Sequence, residues 1–316
     1  MTENFSRDVE EGLSASPKRL SPQYFYDDNG SRIFQQIMAM PEYYLTDCER
    51  EILQLRAKEI FKGLNFSGHF NVIELGAGDG SKTRELLRGL IDAGADISYV
   101  PIDISVAAIE ALTGQMASEL PGLDINPQVG DYFEIMDKVE AQENCPNLVL
   151  FLGANIGNYT DAAAVDLLQH TGEHMRGGDK LLVGFDLQKN PILIHRAYDD
   201  PHGITRRFNL NLLARINKEL AGEFRLDQFS FFCCYDPACG EVTSYLVSLC
   251  EQVVYIGSIG KEFSFERNEL VFTELSKKHT LLQIEQLGAA TGFECVAHFM
   301  DQKEYFSDTL FLKPRG

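Results

Sequence analysis

Basic charge is scarce in this chain: 28 Lys and Arg residues stand against 47 Asp and Glu, a formal net charge of -19. Such a field repels phosphate backbones and argues against nucleic acid as a partner. Long apolar runs are also missing. No stretch approaches the roughly 18 residues of a membrane-spanning helix. The opening MTENFSRDVEEGL is polar and acidic, where a secretory leader would be basic and then apolar. The expectation is a cytoplasmic protein with no membrane partner. Paired cysteines are lacking too. Seven of them, an odd number in a long chain, read as reduced thiols rather than a disulfide framework. The one cluster, Cys233, Cys234 and Cys239, has no second pair and no nearby histidine to complete a zinc site. Its setting, FSFFCCYD, reads as a strand with small core residues, so no metal is expected. Tryptophan is absent altogether.

What is present is 44% hydrophobic residues in 316, enough for a real core in one large domain or two ordinary ones. Residues 8 to 60 carry apolar residues at spacings of three and four, in EEGL, SRIFQQIMAM and TDCEREILQLRAKEIF, and read as helices. Thr46 followed by Glu49 reads as a capping box opening the third. From 70 to 187, strand and helix alternate. VIEL, ISYVPIDI, NLVLFLG and KLLVGFDL are the strands, and the pattern predicts a parallel sheet covered on both faces. After Asn190 the pattern changes. A helix around NLNLLARINKELAG precedes FSFFCCYD, EVTSYLVSLC, EQVVYIGSI and LVFTELS, expected as antiparallel strands of an inserted lobe. The closing LLQIEQLGAATGF, ECVAHFM and DTLFLKP read as a helix and a hairpin.

The chemistry concentrates at strand tips. NVIELGAGDGSKT runs a strand into Gly76-Ala77-Gly78-Asp79-Gly80, a turn that exposes bare backbone to a ligand. A dinucleotide site would instead read G-x-G-x-x-G and place pyrophosphate on the helix N-terminus. Acids at Glu74 and Asp79 suit a cationic, phosphate-free ligand better. Asp103, ending VPIDIS, is placed to accept both ribose hydroxyls, and Ser105 to cap the next helix. Gly130-Asp131-Tyr132 gives a polar turn and an aromatic ring suited to adenine. Together these favour S-adenosylmethionine (SAM); an acid at the second strand tip also fits NAD, which keeps an NAD-dependent oxidoreductase as the alternative outside methyl transfer. FLGANIGNYT lies beyond the next strand, where open parallel sheets bind substrates; its Asn155 and Asn158 are helix caps or ligands.

The combination of SPQYFYDDNGSRIF, MPEYYLT, IELGAGDGSKT, FLGANIGN, AYDDPHGITRRFN and TELSKK resembles the L-histidine N-alpha-methyltransferase family, from about residue 8 to the C-terminus. The resemblance implies an α/β fold: a Rossmann-like SAM-dependent methyltransferase sheet with an inserted α+β substrate lobe. It divides the chain into a helical part of the substrate lobe (1–47), the SAM-binding domain (48–189), the lobe insertion (190–278) and the C-terminal part of the methyltransferase domain (279–316). It implies the trimethylated betaine of histidine, made for ergothioneine biosynthesis, as product, and a monomeric enzyme with a small amino acid as its partner. By the same resemblance, Gly76, Lys82, Asp103, Asp131 and Tyr132 contact SAM. Tyr43, Asn158 and Tyr198 hold the amino acid's amine and carboxylate, Asn158 and Tyr43 orienting the reacting lone pair, and Gly153 also belongs to the substrate site. Tyr26 and Phe34 line its pocket, and Glu274 with Ser276 recognise the imidazole. The i, i+2 spacing of that last pair independently places both on one strand face. Three departures from relatives stand out: Asn155 replaces a threonine, Ser244 replaces a methionine beside the substrate side chain, and the tail HFMDQKEYFSDTLF lacks tryptophan. Another aromatic amino acid, a related small amine, or incomplete methylation is the alternative they leave.

Overall fold

The computed structural model describes residues 2–130, 132–142 and 145–315. The chain packs as two compact units, Met1–Tyr44 with Lys189–Ser276 and Leu45–Gln188 with Lys277–Gly316. It begins in the first unit with α1 (Thr2–Ser14), the short strand β1 (Lys18–Arg19) and α2 (Asp28–Met38). It enters the second unit through α3 (Leu45–Leu55) and α4 (Ala57–Leu64). Alternation follows with β2 (Phe70–Leu75), α5 (Thr83–Asp92), β3 (Ile97–Asp103) and α6 (Val106–Glu119). The short strands β4 (Asp124–Ile125) and β5 (Gln128–Val129) lead to α7 (Tyr132–Gln142), β6 (Asn147–Phe151), α8 (Asp161–Glu173) and β7 (Lys180–Asp186). The first unit resumes with α9 (Pro191–Tyr198), α10 (Ile204–Leu220), β8 (Phe229–Asp236), β9 (Glu241–Ser248), β10 (Gln252–Ile256), β11 (Lys261–Phe265) and β12 (Leu270–Lys277). Then α11 (Leu281–Ala290), β13 (Glu294–Met300) and β14 (Phe306–Leu312) complete the second.

The second unit is built on an eight-stranded sheet in the order β13-β14-β7-β6-β2-β3-β4, with β5 also paired to β3. β2 runs parallel to β3 and β6, and β6 to β7; β14 returns antiparallel on β7 as the expected hairpin with β13. Every residue of β2, β6 and β7 is buried, which is the burial of a parallel sheet covered on both faces. The carboxyl ends of β2, β3 and β6 therefore share one edge, where their loops carry the candidate site.

The first unit pairs β1-β12-β9-β8 in one sheet and β10-β11 in a separate hairpin. β8 and β9 are antiparallel, as are β10 and β11, but β12 takes β1 as a parallel neighbour. Phe5, Phe25, Phe208, Phe229 and Phe265 belong to its core. Sequence reading missed β1, β11 and α9. β1 is two residues long, three of the five residues of β11 are charged or polar, and α9 is eight residues opened by Pro191 behind an Asn190 cap.

Two expectations about the early helices are corrected. The segment TDCEREILQLRAKEIF breaks at Arg56 into α3 and α4. Helix α3 begins at Leu45, so Thr46 lies inside the first turn and does not cap it. Glu49 is fully buried and turns to partners elsewhere in the unit, described below.

Candidate functional site

β2 ends at Leu75, and the glycine loop turns the chain into α5. Gly76 has φ +71, a conformation that strains any side chain, and a Cβ there would stand 3.0 Å from the Tyr132 hydroxyl. Tyr132, the first residue of α7, thus holds its hydroxyl over the start of the loop. At Gly78 the space where a Cβ would stand is open, so the backbone is bare to a ligand.

Asp103 ends β3. Its carboxylate accepts from the Ser105 amide at 2.9 Å and the Gly78 amide at 3.4 Å, tying strand tip to glycine loop. Ser105 caps α6 by accepting from the Ala108 amide at 3.2 Å, as expected. Around this acid stand uncovered aliphatic side chains. Ile104 is 78% exposed and Val106 and Val129 are also exposed, with Val129 paired to Asp103 across the β3–β5 ladder. A carboxylate for ribose hydroxyls beside an apolar wall for a purine is the donor set a nucleoside requires. The residues present therefore fit the adenosine half of SAM. Asp131 lies outside the described residues.

Lys82 closes the loop. It is ion-paired with Glu49 of α3, whose side chain has no exposed surface, while about a fifth of the lysine remains open. Burial opposes its charge, but Glu49, Asp308 and Glu74 outweigh burial and hold its pKa above the ordinary value. The result is a permanent cation, suited to the carboxylate of an amino-acid ligand. Glu74 corrects the sequence reading. It is buried beneath the loop, accepting from the Thr83 hydroxyl at 2.5 Å and from the Tyr99 hydroxyl. Burial pushes its carboxyl up to about 7, against the pull of those two hydroxyls and Lys82, and its burial keeps it from being presented to a ligand at the loop surface. Asp79 stays exposed and accepts from the Ser81 amide at 3.0 Å.

The loop after β6 carries Gly153, at φ +84, whose amide donates to Glu49 Oε1 at 2.6 Å. Asn155 donates to the Leu152 carbonyl at 2.9 Å. Helix α8 is capped by Thr160, which accepts from the Ala163 amide, and Asn158 stands exposed before it. The capping alternative for Asn158 is thereby excluded.

In the first unit, the rings of Tyr26 and Phe34 meet at 5.4 Å, Phe34 and Tyr43 at 6.3 Å, and Tyr43 and Tyr198 at 6.3 Å. The Tyr198 hydroxyl is hydrogen-bonded to Ser276 Oγ at 2.8 Å. Tyr26 keeps 50% of its surface, yet desolvation, then Glu274 and Tyr198, push its hydroxyl well up, so it stays protonated. The six sequence-assigned residues of this unit are thus linked into one group. Sequence reasoning missed Phe208 of α10, which stacks on Phe25 at 4.6 Å and meets both Tyr26 and Phe34 at 5.7 Å. Its signal was the phenylalanine of TRRFN. Parts of the motifs are caps. Asp27 opens α2, accepting from the Gly30 amide at 2.7 Å. Asp200 accepts from the amides of His202, Ile204 and Thr205, which overcome burial and lower its pKa. Ser244 is buried opposite Cys233 on the β8–β9 ladder. Among the described residues no group of His, Cys, Asp and Glu could hold a metal ion, and no helix is long and apolar enough to cross a membrane.

A mostly parallel α/β sheet with a bare glycine loop, an acid at the second strand tip and an apolar nucleoside wall defines a SAM-dependent methyltransferase. The chain belongs to the histidine-specific, SAM-dependent methyltransferase family, whose model matches residues 5–313. It is 35% identical over 307 residues to the histidine N-alpha-methyltransferase of Mycobacterium tuberculosis, covering 97% of this chain and 94% of that protein. It is 36% identical over 276 residues to the enzyme of the same name from Mycolicibacterium smegmatis, covering 87% and 84%. Ergothioneine biosynthesis protein 1 of Schizosaccharomyces pombe is 28% identical over 299 residues, covering 92% of this chain and 38% of that protein.

Proposed function

We propose that this enzyme methylates the α-amino group of L-histidine with SAM, in up to three transfers, giving N,N,N-trimethylhistidine for ergothioneine biosynthesis. The observation that carries this reading is the hydrogen bond joining Tyr198 to Ser276, beside a tyrosine whose hydroxyl feels Glu274. Tyr198 holds the Ser276 hydroxyl in place, and Ser276 with Glu274 offers a hydroxyl and a carboxylate to the two imidazole nitrogens. Tyr26, Phe34 and Tyr43 supply rings that favour a methylated ammonium by about 0.5–2 kcal/mol each. The first unit is thus the substrate lobe and the second the methyltransferase domain.

The methyl donor supplies an electrophilic carbon on a sulfonium. The chain's own work is to bind, orient and exclude water, because a neutral amine needs only in-line approach to that carbon. Asp103 takes the ribose, Tyr132 and Gly76 bound the loop, and Lys82 takes the carboxylate. Asn158 and Tyr43 direct the amine lone pair, and the amine's proton leaves to water before each transfer. The reading extends to a monomeric, metal-independent, cytoplasmic enzyme, which sedimentation, chelator treatment and cell fractionation would check. The decisive assay offers free histidine, tyrosine and tryptophan with SAM and follows product mass. Three successive methyl additions on histidine alone are expected. Methylation of tyrosine or tryptophan in preference would overturn the substrate, and histidine selectivity surviving Glu274→Ala would overturn the imidazole assignment.

A further inference from the structure

Glu49 is a fully buried, ion-paired carboxylate of the second unit that the methyl transfer itself does not use. Its side chain comes from α3 with no exposed surface. One carboxylate oxygen takes the Gly153 amide at 2.6 Å, and the other takes the Lys82 ammonium. Those partners lie 104 and 33 residues away in sequence. They head the loop of Asn158 and the helix that follows the glycine loop. Space for the carboxylate is reserved at Gly184 on β7, where a Cβ would stand 2.5 Å from Glu49 Oε1.

Opposite Gly184 in register is Asp308 of β14. Its carboxyl is completely buried, and neither of its oxygens meets a hydrogen-bond partner among the described residues. Burial and the neighbouring Glu49 push its pKa well up, against the opposing pull of Lys82. Among the described residues, the carboxylate ion-paired with Lys82 is Glu49. An ammonium has three donors, and one spent on a rigid carboxylate directs the other two.

We propose that Glu49 is a positioning residue: by holding Lys82 and the Gly153 amide on one buried carboxylate, it pre-sets the lysine to receive the carboxylate of the methyl donor and fixes the base of the Asn158 loop with it. This rests on the reading that Lys82 belongs to the SAM site. A lysine fixed before binding loses less side-chain freedom when the ligand arrives, and that saving is read as affinity.

The test measures binding of SAM, S-adenosylhomocysteine and decarboxylated SAM by calorimetry, with the KM for SAM and for histidine alongside. Glu49→Gln keeps an acceptor for Gly153 and removes the charge from Lys82. It is expected to weaken SAM and S-adenosylhomocysteine about tenfold or more and to leave decarboxylated SAM unchanged. Its KM should rise for SAM and not for histidine. Lys82→Met and the double variant Glu49→Gln/Lys82→Met should bind SAM equally weakly, because Glu49 acts through the lysine. Normal SAM affinity in Glu49→Gln overturns the proposal. So does an equal loss for decarboxylated SAM, or a second loss on the Lys82→Met background. Melting curves establish that each variant folds. Should Glu49→Gln not fold, Glu49→Asp, which keeps the charge but withdraws it by one methylene, carries the same comparison. Unaltered protein that binds decarboxylated SAM as tightly as SAM removes the Lys82 assignment and this proposal while leaving the SAM reading intact. Unaltered protein that binds no SAM removes that reading itself.

Discussion

Asn158 stands exposed while Thr160 caps the helix behind it, which leaves the asparagine amide for a ligand. Asn158→Ala should lower kcat for histidine methylation by roughly a hundredfold, since positioning is most of what this reaction needs. SAM affinity, measured by calorimetry, should not move; unchanged turnover would remove the residue from the site. Glu74 gives a second prediction at this scale. Its folded pKa of about 7 lies above the usual carboxylate value of 4.5, so the folded state binds the extra proton between those limits. Stability from this group is present in full below pH 4.5 and is lost as pH rises towards 7 and beyond. At about 1.4 kcal/mol per unit the loss is on the order of 3 kcal/mol. Glu74→Gln removes that component, so urea titrations should show the variant gaining on the parent from pH 5 to pH 8. A constant difference across that range would refute it. His279 acts in the opposite sense. Burial, Lys277 and Lys278 lower its pKa to about 4 from 6.5, so its contribution is lost as pH falls through that window. Residues whose partners are local were legible in the sequence, as Ser105 shows. Glu49 was misread as half of a capping box because its partners are distant in sequence and its charge is satisfied only in the folded unit.

At the scale of elements, the strand–helix alternation of the second unit was legible because each strand is a continuous apolar run bounded by turn residues. The small pieces were not. β1 exists only through its ladder with β12, and nothing in Lys18-Arg19 signals a strand. α3 and α4 read as one helix because the apolar spacing runs through Arg56 without a glycine or proline to mark the break. The short helix Asn155–Asn158 is held by a close approach that spacing does not reveal: a Cβ on Gly157 would stand 2.6 Å from the Lys277 carbonyl oxygen, a backbone atom that has no rotamer to escape into. Gly157→Ala should therefore displace this turn, lowering stability by about 1–3 kcal/mol in chemical denaturation. It should also reduce kcat with Asn158 still present. Melting and turnover equal to the parent's would show that the turn yields freely.

At the scale of the whole molecule, the assigned residues fall into two sets by chemistry. Gly76, Lys82, Asp103, Tyr132, Gly153 and Asn158 belong to the unit built on the parallel sheet, and Tyr26, Phe34, Tyr43, Tyr198, Glu274 and Ser276 to the other. Each unit has its own apolar core, one around Phe25 and Phe208, the other around Ile73, Val149 and Phe185. A ligand that recognises only the cofactor set must therefore stabilise the parallel-sheet unit first. At a hundredfold excess over Kd, linkage gives about 2.7 kcal/mol. For a unit of roughly 150–250 residues that corresponds to a rise of about 5–10 °C in its melting temperature. In scanning calorimetry SAM should produce this rise and NAD should not, because the glycine loop lacks the G-x-G-x-x-G spacing that seats a pyrophosphate at a helix start. Asp103→Ala should abolish the shift while leaving the ligand-free melt close to the parent's. A shift with NAD and none with SAM would assign the nucleoside wall of Ile104, Val106 and Val129 to hydride chemistry, and the sheet's loops would need a different substrate.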